Sequence, residues 1–157
     1  MKRIERSAIV PHSAEWLYAI VEDIESYPSF LPWCLDAAVL ERVKDRAGAE
    51  AVFTRARLTV GLKGIRQSFT TDNLNVPGVS IEMRLVEGPF ERFAAGWRFK
   101  PLTAEAARIE FFMDCEFSSR LLARTLEPLF EKIADTMVDT FTRRAESLAA
   151  GNLRNAG

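Results

Sequence analysis

The chain has 157 residues, 48% of them hydrophobic and 27% charged, with 21 Lys and Arg against 22 Asp and Glu and a net charge of −1. That length and balance describe a single domain over residues 1–150 with a flexible tail over 151–157, and they exclude a protein held to DNA by bulk charge. Cys34 and Cys115 stand far apart beside a single histidine, which is too small a donor set for a zinc site and too few cysteines for a disulfide framework.

The start, Met1-Lys2-Arg3-Ile4-Glu5-Arg6, carries charge where a secretory signal needs an apolar run. No stretch reaches the ~18 apolar residues of a membrane span, so a cytoplasmic location is expected. Residues 2–10 alternate and predict a strand that Pro11 ends. Ser13 then caps a helix whose Trp16, Leu17, Ile20, Val21 and Ile24 fall on one stripe. The run Ser26-Tyr27-Pro28-Ser29-Phe30-Leu31-Pro32-Trp33 is too rich in proline for a long helix and too aromatic for a solvated loop, so it predicts a short turn tucked against the body.

From Leu35 to Phe117 the period is two, and strands are predicted at 35–45, 49–59, 64–75, 79–86, 91–100 and 106–117. The breaks are Ala47-Gly48, Gly61 to Gly64, Pro77-Gly78, Gly88-Pro89 and Pro101 to Glu105. On the later strands one face collects Val79, Ile81, Met83, Leu85, Phe93, Ala95, Trp97, Phe99, Ile109, Phe111, Met113, Cys115 and Phe117. The other collects Glu82, Arg84, Arg92, Arg98, Arg108, Glu110, Asp114 and Glu116. After Ser118-Ser119 the spacing turns helical, with Leu122, Leu126, Leu129, Phe130, Ile133, Met137, Phe141 and Leu148 on one stripe. Pro128 inside that stripe predicts a kink, or else a break into two helices.

A meander with one apolar face and one long amphipathic helix must bury those two surfaces against each other. This is an α+β architecture in which a curved antiparallel sheet of about seven strands grips the C-terminal helix, with short helical segments between the first and second strands. Such a closure leaves a gap between sheet and helix, and that gap is the candidate binding site.

Several segments resemble a known family. Glu22 to Cys34 is similar to the D-x-x-x-Y-P-x-F-L-P-W-C segment of the coenzyme Q-binding START-like proteins and the RatA-type ribosome-association toxins. Phe69 to Asn73 resembles their F-T-T-x-N strand, Leu85 to Phe90 their L-V-[DE]-G-P-F turn, Gly96 to Phe99 their G-W-x-F strand, and Ile109 to Phe111 their strand before the last helix. The resemblance runs from Ser7 to about Glu146. It implies the helix-grip fold (START-like, Bet v 1-like) of the polyketide cyclase/dehydrase and lipid-transport superfamily, and an apolar ligand in the gap. For the nearest relatives it implies a ubiquinone-type polyprenyl quinone that supports respiration, or an action on ribosomal subunit joining.

The cavity residues expected are Phe30, Leu31 and Trp33 from the aromatic turn, Gln67, Phe69 and Thr71 from one strand, and Met83, Leu85, Phe90, Trp97, Phe99, Phe111 and Met113 from those that follow. Leu126, Phe130, Ile133 and Met137 of the last helix join them. Gln67, Thr71 and Asn73 are the polar candidates at the closed end. Trp97 and Phe99 are expected to reach Phe130, Ile133 and Met137. Apolar Leu58, Val60 and Leu62 near a turn, with Arg57, Lys63 and Arg66 behind them, are candidate contacts to the inner face of a membrane or to a ribosomal subunit.

Catalytic residues are not expected. His12 has neither a nucleophile nor an acidic partner near it in sequence, and the strand carboxylates fall on the polar face. Gly61 and Gly64 join strands rather than open a phosphate-binding helix. Cys34 has no cation or helix start to activate it. The expected protein is therefore a carrier without metal or required cofactor whose ligand is ubiquinone or another lipid. A ribosome-associating protein and a polyketide cyclase or aromatase are the alternatives.

Overall fold

The computed structural model describes residues 2–44 and 51–156. The order is β1 (Lys2–Val10), α1 (Ala14–Glu22), a 3₁₀ helix (Ile24–Ser29), β2 (Cys34–Lys44), β3 (Val52–Leu62), β4 (Ile65–Val76), β5 (Ser80–Glu87), β6 (Phe90–Thr103), β7 (Ala106–Phe117) and α2 (Arg120–Ala156). All seven strands form one sheet in the order β1-β7-β6-β5-β4-β3-β2. Strands β2 to β7 are a meander, and β1 closes the far side by pairing antiparallel with β7, from Lys2 opposite Cys115 to Val10 opposite Ala107.

The helix-grip architecture follows from the alternation. Ile81, Phe93, Ala95, Trp97, Phe99, Ile109, Phe111, Met113 and Cys115 turn inward and are buried, as are Leu126, Phe130, Ile133, Met137 and Phe141 of α2. Val79 departs from the expected inner face: it precedes β5 and is 55% exposed. Bulges in the β2/β3 and β6/β7 pairings bend the sheet around α2. The Arg6–Asp135 ion pair ties β1 to the helix.

Ser13 caps α1 by accepting from the Trp16 N–H at 3.1 Å. The aromatic turn that follows is wound as the 3₁₀ helix and held down by the Tyr27 hydroxyl, which donates to the Val21 carbonyl.

Several boundaries differ from the sequence reading; β6, for one, runs on through the expected turn start at Pro101 to Thr103, where a bulge keeps it paired with β7. Strand β3 runs to Leu62 because its turn to β4 is only Lys63-Gly64, both left-handed at φ 54° and 83°, which is the two-residue geometry that fits the twist of a hairpin. Helix α2 passes through Pro128 as one unit, so there is no break, although the ring removes the N–H that the Arg124 carbonyl would accept. It also continues to Ala156, through most of the segment read as a tail. Residue 45, the Ala47-Gly48 turn and residues 49–50 of the predicted strands lie outside the described residues, as does Gly157. Among the described residues no helix is long and apolar enough to cross a membrane.

Candidate functional site

Between the sheet and α2 lies a narrow cavity of about 60 Å³. Eight elements build it, with Trp33 between two of them. Val21 and Glu22 come from α1, Ile24 and Tyr27 from the 3₁₀ helix, and Trp33 from the residue before β2. Ala56, Leu58 and Val60 come from β3. Phe69, Thr71, Asn73 and Asn75 come from β4, Ile81 and Met83 from β5, Phe93, Ala95 and Trp97 from β6, and Phe111 and Met113 from β7. Phe130, Ile133 and Met137 of α2 form the roof. The space is room for about two waters, whereas pockets for drug-sized ligands run to roughly 300–1,000 Å³. A ring with a prenyl chain therefore enters only as side chains yield, and Met83, Met113 and Met137 are the residue type that yields most easily.

Two aromatic clusters bracket the cavity. In one, Phe130 packs against Phe69, Phe90 and Phe117 with ring centroids 5.7, 5.1 and 5.6 Å apart. In the other, Phe141 packs against Tyr27, Phe30 and Trp97 at 5.3, 5.3 and 5.2 Å. These pairs hold α2 at both ends while the methionines fill the middle.

The polar groups gather on β4 and on the segment facing it. Successive inward positions of β4 carry Thr71, Asn73 and Asn75, all buried. The Thr71 hydroxyl donates to Asn73 Oδ1 at 2.7 Å. Asn75 is hydrogen-bonded to the Tyr18 phenol; burial raises the pKa of that phenol, and the Asn75 contact opposes the rise. Asn75 Oδ1 and Trp33 Nε1, at opposite ends of the cavity, are buried without a partner, and so is Thr54 Oγ1, opposite Asn73 on β3. Glu22 is the charged member of the lining, 3.5 Å from the Arg42 guanidinium on β2. Cys34 is buried, its thiol donating to the Asp36 carbonyl at 3.5 Å, and burial pushes its pKa up to about 11. That leaves it a thiol at neutral pH. Cys115 is likewise buried. His12 does not border the cavity.

Trp33, Phe69, Thr71, Met83, Trp97, Phe111, Met113, Phe130, Ile133 and Met137 stand on the cavity wall where the sequence reading looks for them. The other expected residues do not. Phe30 lies under the Arg144 guanidinium on the far side of Phe141, and Leu31 is core beneath the turn. Phe90 fills the first aromatic cluster and Leu126 is buried apart from the cavity. Leu85 is half-buried off the wall. Phe99 meets Tyr18 of α1 at 5.8 Å rather than α2, so of the expected pair only Trp97 reaches the long helix, at Phe141. Gln67 sits beyond the cavity in a surface groove with Arg57, Arg66 and Ser68.

The hairpin needs correcting too. Leu58 and Val60 are not part of an exposed tip; both face inward on the cavity wall, and Val60 has no exposure. Leu62 packs against the core. Arg57 and Arg66 lie on the opposite, convex face, because alternate residues of a strand point to opposite sides. The tip leans back on the segment before β2: the Gly61 N–H donates to the Trp33 carbonyl at 2.9 Å, and a Cβ at Gly61 would lie 2.8 Å from Leu35. The two turn residues, Lys63 and Gly64, are exposed.

Val21, Glu22, Ile24, Tyr27, Ala56, Asn75, Ile81, Phe93 and Ala95 are wall residues that the sequence reading does not single out. For Asn75 a signal exists: Thr71, Asn73 and Asn75 recur at period two in a strand whose inner face is otherwise apolar.

Residues 10–142 match the family model described as polyketide cyclase / dehydrase and lipid transport. The ribosome association toxin RatA of Escherichia coli strain K12 is 40% identical over 148 residues, covering 94% of this chain and 89% of the relative. Coenzyme Q-binding protein COQ10 homolog B, mitochondrial, of Xenopus laevis is 28% identical over 150 residues, covering 92% and 59%. Among solved structures, the Zhui aromatase/cyclase of Streptomyces sp. R1128 matches with a TM-score of 0.79 at 18% identity, covering 92% of this chain and 93% of that one. At that identity the likeness concerns the fold alone.

Proposed function

The chain belongs to the polyketide cyclase / dehydrase and lipid transport family, and from that premise we propose that it binds and carries a hydrophobic small molecule, a polyprenyl quinone of the ubiquinone type, between the sheet and α2. The observation that carries this reading is a methionine- and aromatic-lined space beneath α2 whose β4 side carries the buried polar groups Thr71, Asn73 and Asn75, with Asn75 Oδ1 unpartnered. An apolar wall with a few polar groups at one end is what a ligand with a polar head and an apolar tail requires. A relative named as coenzyme Q-binding supports the choice of ligand. The carrier acts without chemistry of its own, since the wall offers one carboxylate, Glu22, already facing Arg42, and no imidazole for acid–base work.

The test is direct. Protein purified without detergent is denatured, extracted with organic solvent and assayed for lipids by mass spectrometry. A near-stoichiometric prenyl quinone is the expected result. An extract that stays empty after incubation with quinone-containing vesicles overturns the reading.

The 40% identity to proteins named ribosome association toxin supports a second reading, in which the chain contacts a ribosomal subunit. Its outer charge is largely matched within the sheet: Arg55 forks onto Asp72 at 2.7 and 3.0 Å, Lys100 meets Glu110 at 2.8 Å, and Arg92 meets Glu116 at 3.4 Å. Arg57, Lys63 and Arg66 stand together near the β3–β4 turn and form no ion pair among the described residues. Contact with RNA through them predicts co-sedimentation with ribosomal subunits that falls steeply with salt and is lost when the three are replaced by glutamine.

A further inference from the structure

The space beneath α2, about 60 Å³, is far smaller than a ring with a prenyl chain. Larger hollows open on the surface, and three of them border residues of the cavity wall. One, at Ile81, Trp97 and Phe111, lies on the convex face, so the hydrogen-bonded ladder of β5, β6 and β7 stands between it and the cavity. A second touches the wall only at Phe69 and is otherwise polar, with Arg57, Arg66, Gln67 and Ser68. The third is a groove of about 650 Å³ between the first turns of α2, the start of β1 and the end of β7. Met113 and Phe130 border both this groove and the cavity. They belong to β7 and α2, which meet through side chains, so no ladder closes the way between the two spaces.

The sheet register draws a track between them. Asn73 stands opposite Met83, Met83 opposite Ala95, Ala95 opposite Met113, and Met113 opposite Ile4. The first four of these residues line the cavity and Ile4 lines the groove. Four steps of about 4.8 Å make the row roughly 19 Å long. It starts at the polar side of the cavity, crosses a small residue flanked by two methionines and ends in the groove, whose floor continues with Cys115, Phe117 and Ala123. A methionine turns aside at little cost, and Phe130 follows Pro128 by two residues, in the stretch of α2 where the Arg124 carbonyl has lost its N–H partner. Resting on the carrier reading above, we propose that the ring of the ligand sits toward Asn73 and that its tail follows this row, passes between Met113 and Phe130 and lies in the groove. The groove then supplies the volume that the cavity lacks, and the tail covers Phe117 and Ala123, which are half-buried in the empty protein.

A series of dimethoxybenzoquinones that differ only in tail length, with one, two or three isoprene units, tests this. Affinities are measured by equilibrium partition between protein and vesicles and referred to water through each probe's own partition. In the wild-type protein each added unit is expected to tighten binding about tenfold, as apolar surface is covered along the row and then in the groove. Ala123→Trp fills the groove from α2. It should leave the one-unit probe bound as before and reduce the gain from the third unit to about twofold. Ser118→Trp, on the exposed lip of the groove, should act in the same direction and serves as the second variant if Ala123→Trp lowers the urea midpoint. If the wild-type affinity stops rising after the first unit, or if the third unit gains as much in both variants as in the wild type, the tail does not lie in the groove, and the carrier reading stands without it. If no probe binds the wild-type protein, both fall.

Discussion

The Glu22 carboxylate lies 3.5 Å from the Arg42 guanidinium, so the last residue of α1 is tied to β2 at the rim of the cavity. Both side chains are about one-third exposed, and such a pair contributes no more than about 1 kcal/mol to stability. Its consequence is local. Loosening it frees the end of α1 that carries Val21 and Glu22 of the wall. Arg42→Gln should leave the urea midpoint almost unchanged and speed uptake of a fluorescent prenyl-quinone analogue several-fold at low salt. The wild-type protein should approach the variant at high salt, where the pair is screened. Equal uptake rates at all salt concentrations would put the way in elsewhere.

Phe130 is 2% exposed and touches three rings, one from each of β4, β6 and β7, so it is core as well as roof. Phe130→Ala should destabilise the protein by about 3–5 kcal/mol in urea denaturation, and Phe130→Leu by about 1.5 kcal/mol or less. Retention of ligand is then best compared in Phe130→Leu, which stays folded under the conditions of the assay. A loss below 1 kcal/mol for the alanine variant would mean that α2 does not pack as described.

These contacts mark how far the sequence could be read. Period-two alternation places β7 at 106–117 without error, since every second residue there is apolar and the strand has no bulge against β1. Ser13 as a cap is equally legible. What alternation cannot separate is wall from core. Phe93 and Phe90 both face inward, yet a bulge between Phe90 and Arg92 turns Phe90 into the ring cluster and leaves Phe93 on the cavity. Leu58 and Val60 read as flanks of an exposed hairpin tip because Gly61 and Gly64 bracket a break, whereas the strand continues to Leu62 and carries them inside. Whether an inward residue borders empty space depends on curvature and on how α2 crosses, and neither has a period.

Cys34 makes stability depend on alkaline pH. Its folded-state pKa of about 11 lies above the ordinary value of 9.0, because burial disfavours the thiolate. The folded state therefore keeps the proton longer than the unfolded chain. The associated stability is complete below pH 9 and declines as pH rises from 9 to about 11, by up to about 1.4 kcal/mol per pH unit. Tyr27, also pushed up by burial, adds to the loss above pH 10. Urea midpoints measured from pH 7 to 10.5 should fall less steeply for Cys34→Ala than for the wild-type protein. Parallel slopes would show that the thiol is not shielded.

Ala56 offers a way to separate cavity from carrier function. It is 3% exposed, lies inward on β3 and borders the empty space, so Ala56→Val adds two methyl groups there on a residue type that strands favour. If the roughly 60 Å³ space is a void in a finished core, filling it should raise stability by about 1 kcal/mol and change nothing else. If it is the collapsed form of a site that opens around a ligand, the same substitution should stabilise the empty protein and weaken uptake of a decyl-tailed dimethoxybenzoquinone probe about tenfold, because the added methyls occupy the volume the ring must enter. Urea denaturation of the empty protein, run beside probe partition, reads both quantities on one preparation. Stabilisation with undiminished uptake would place the ligand somewhere other than beneath α2.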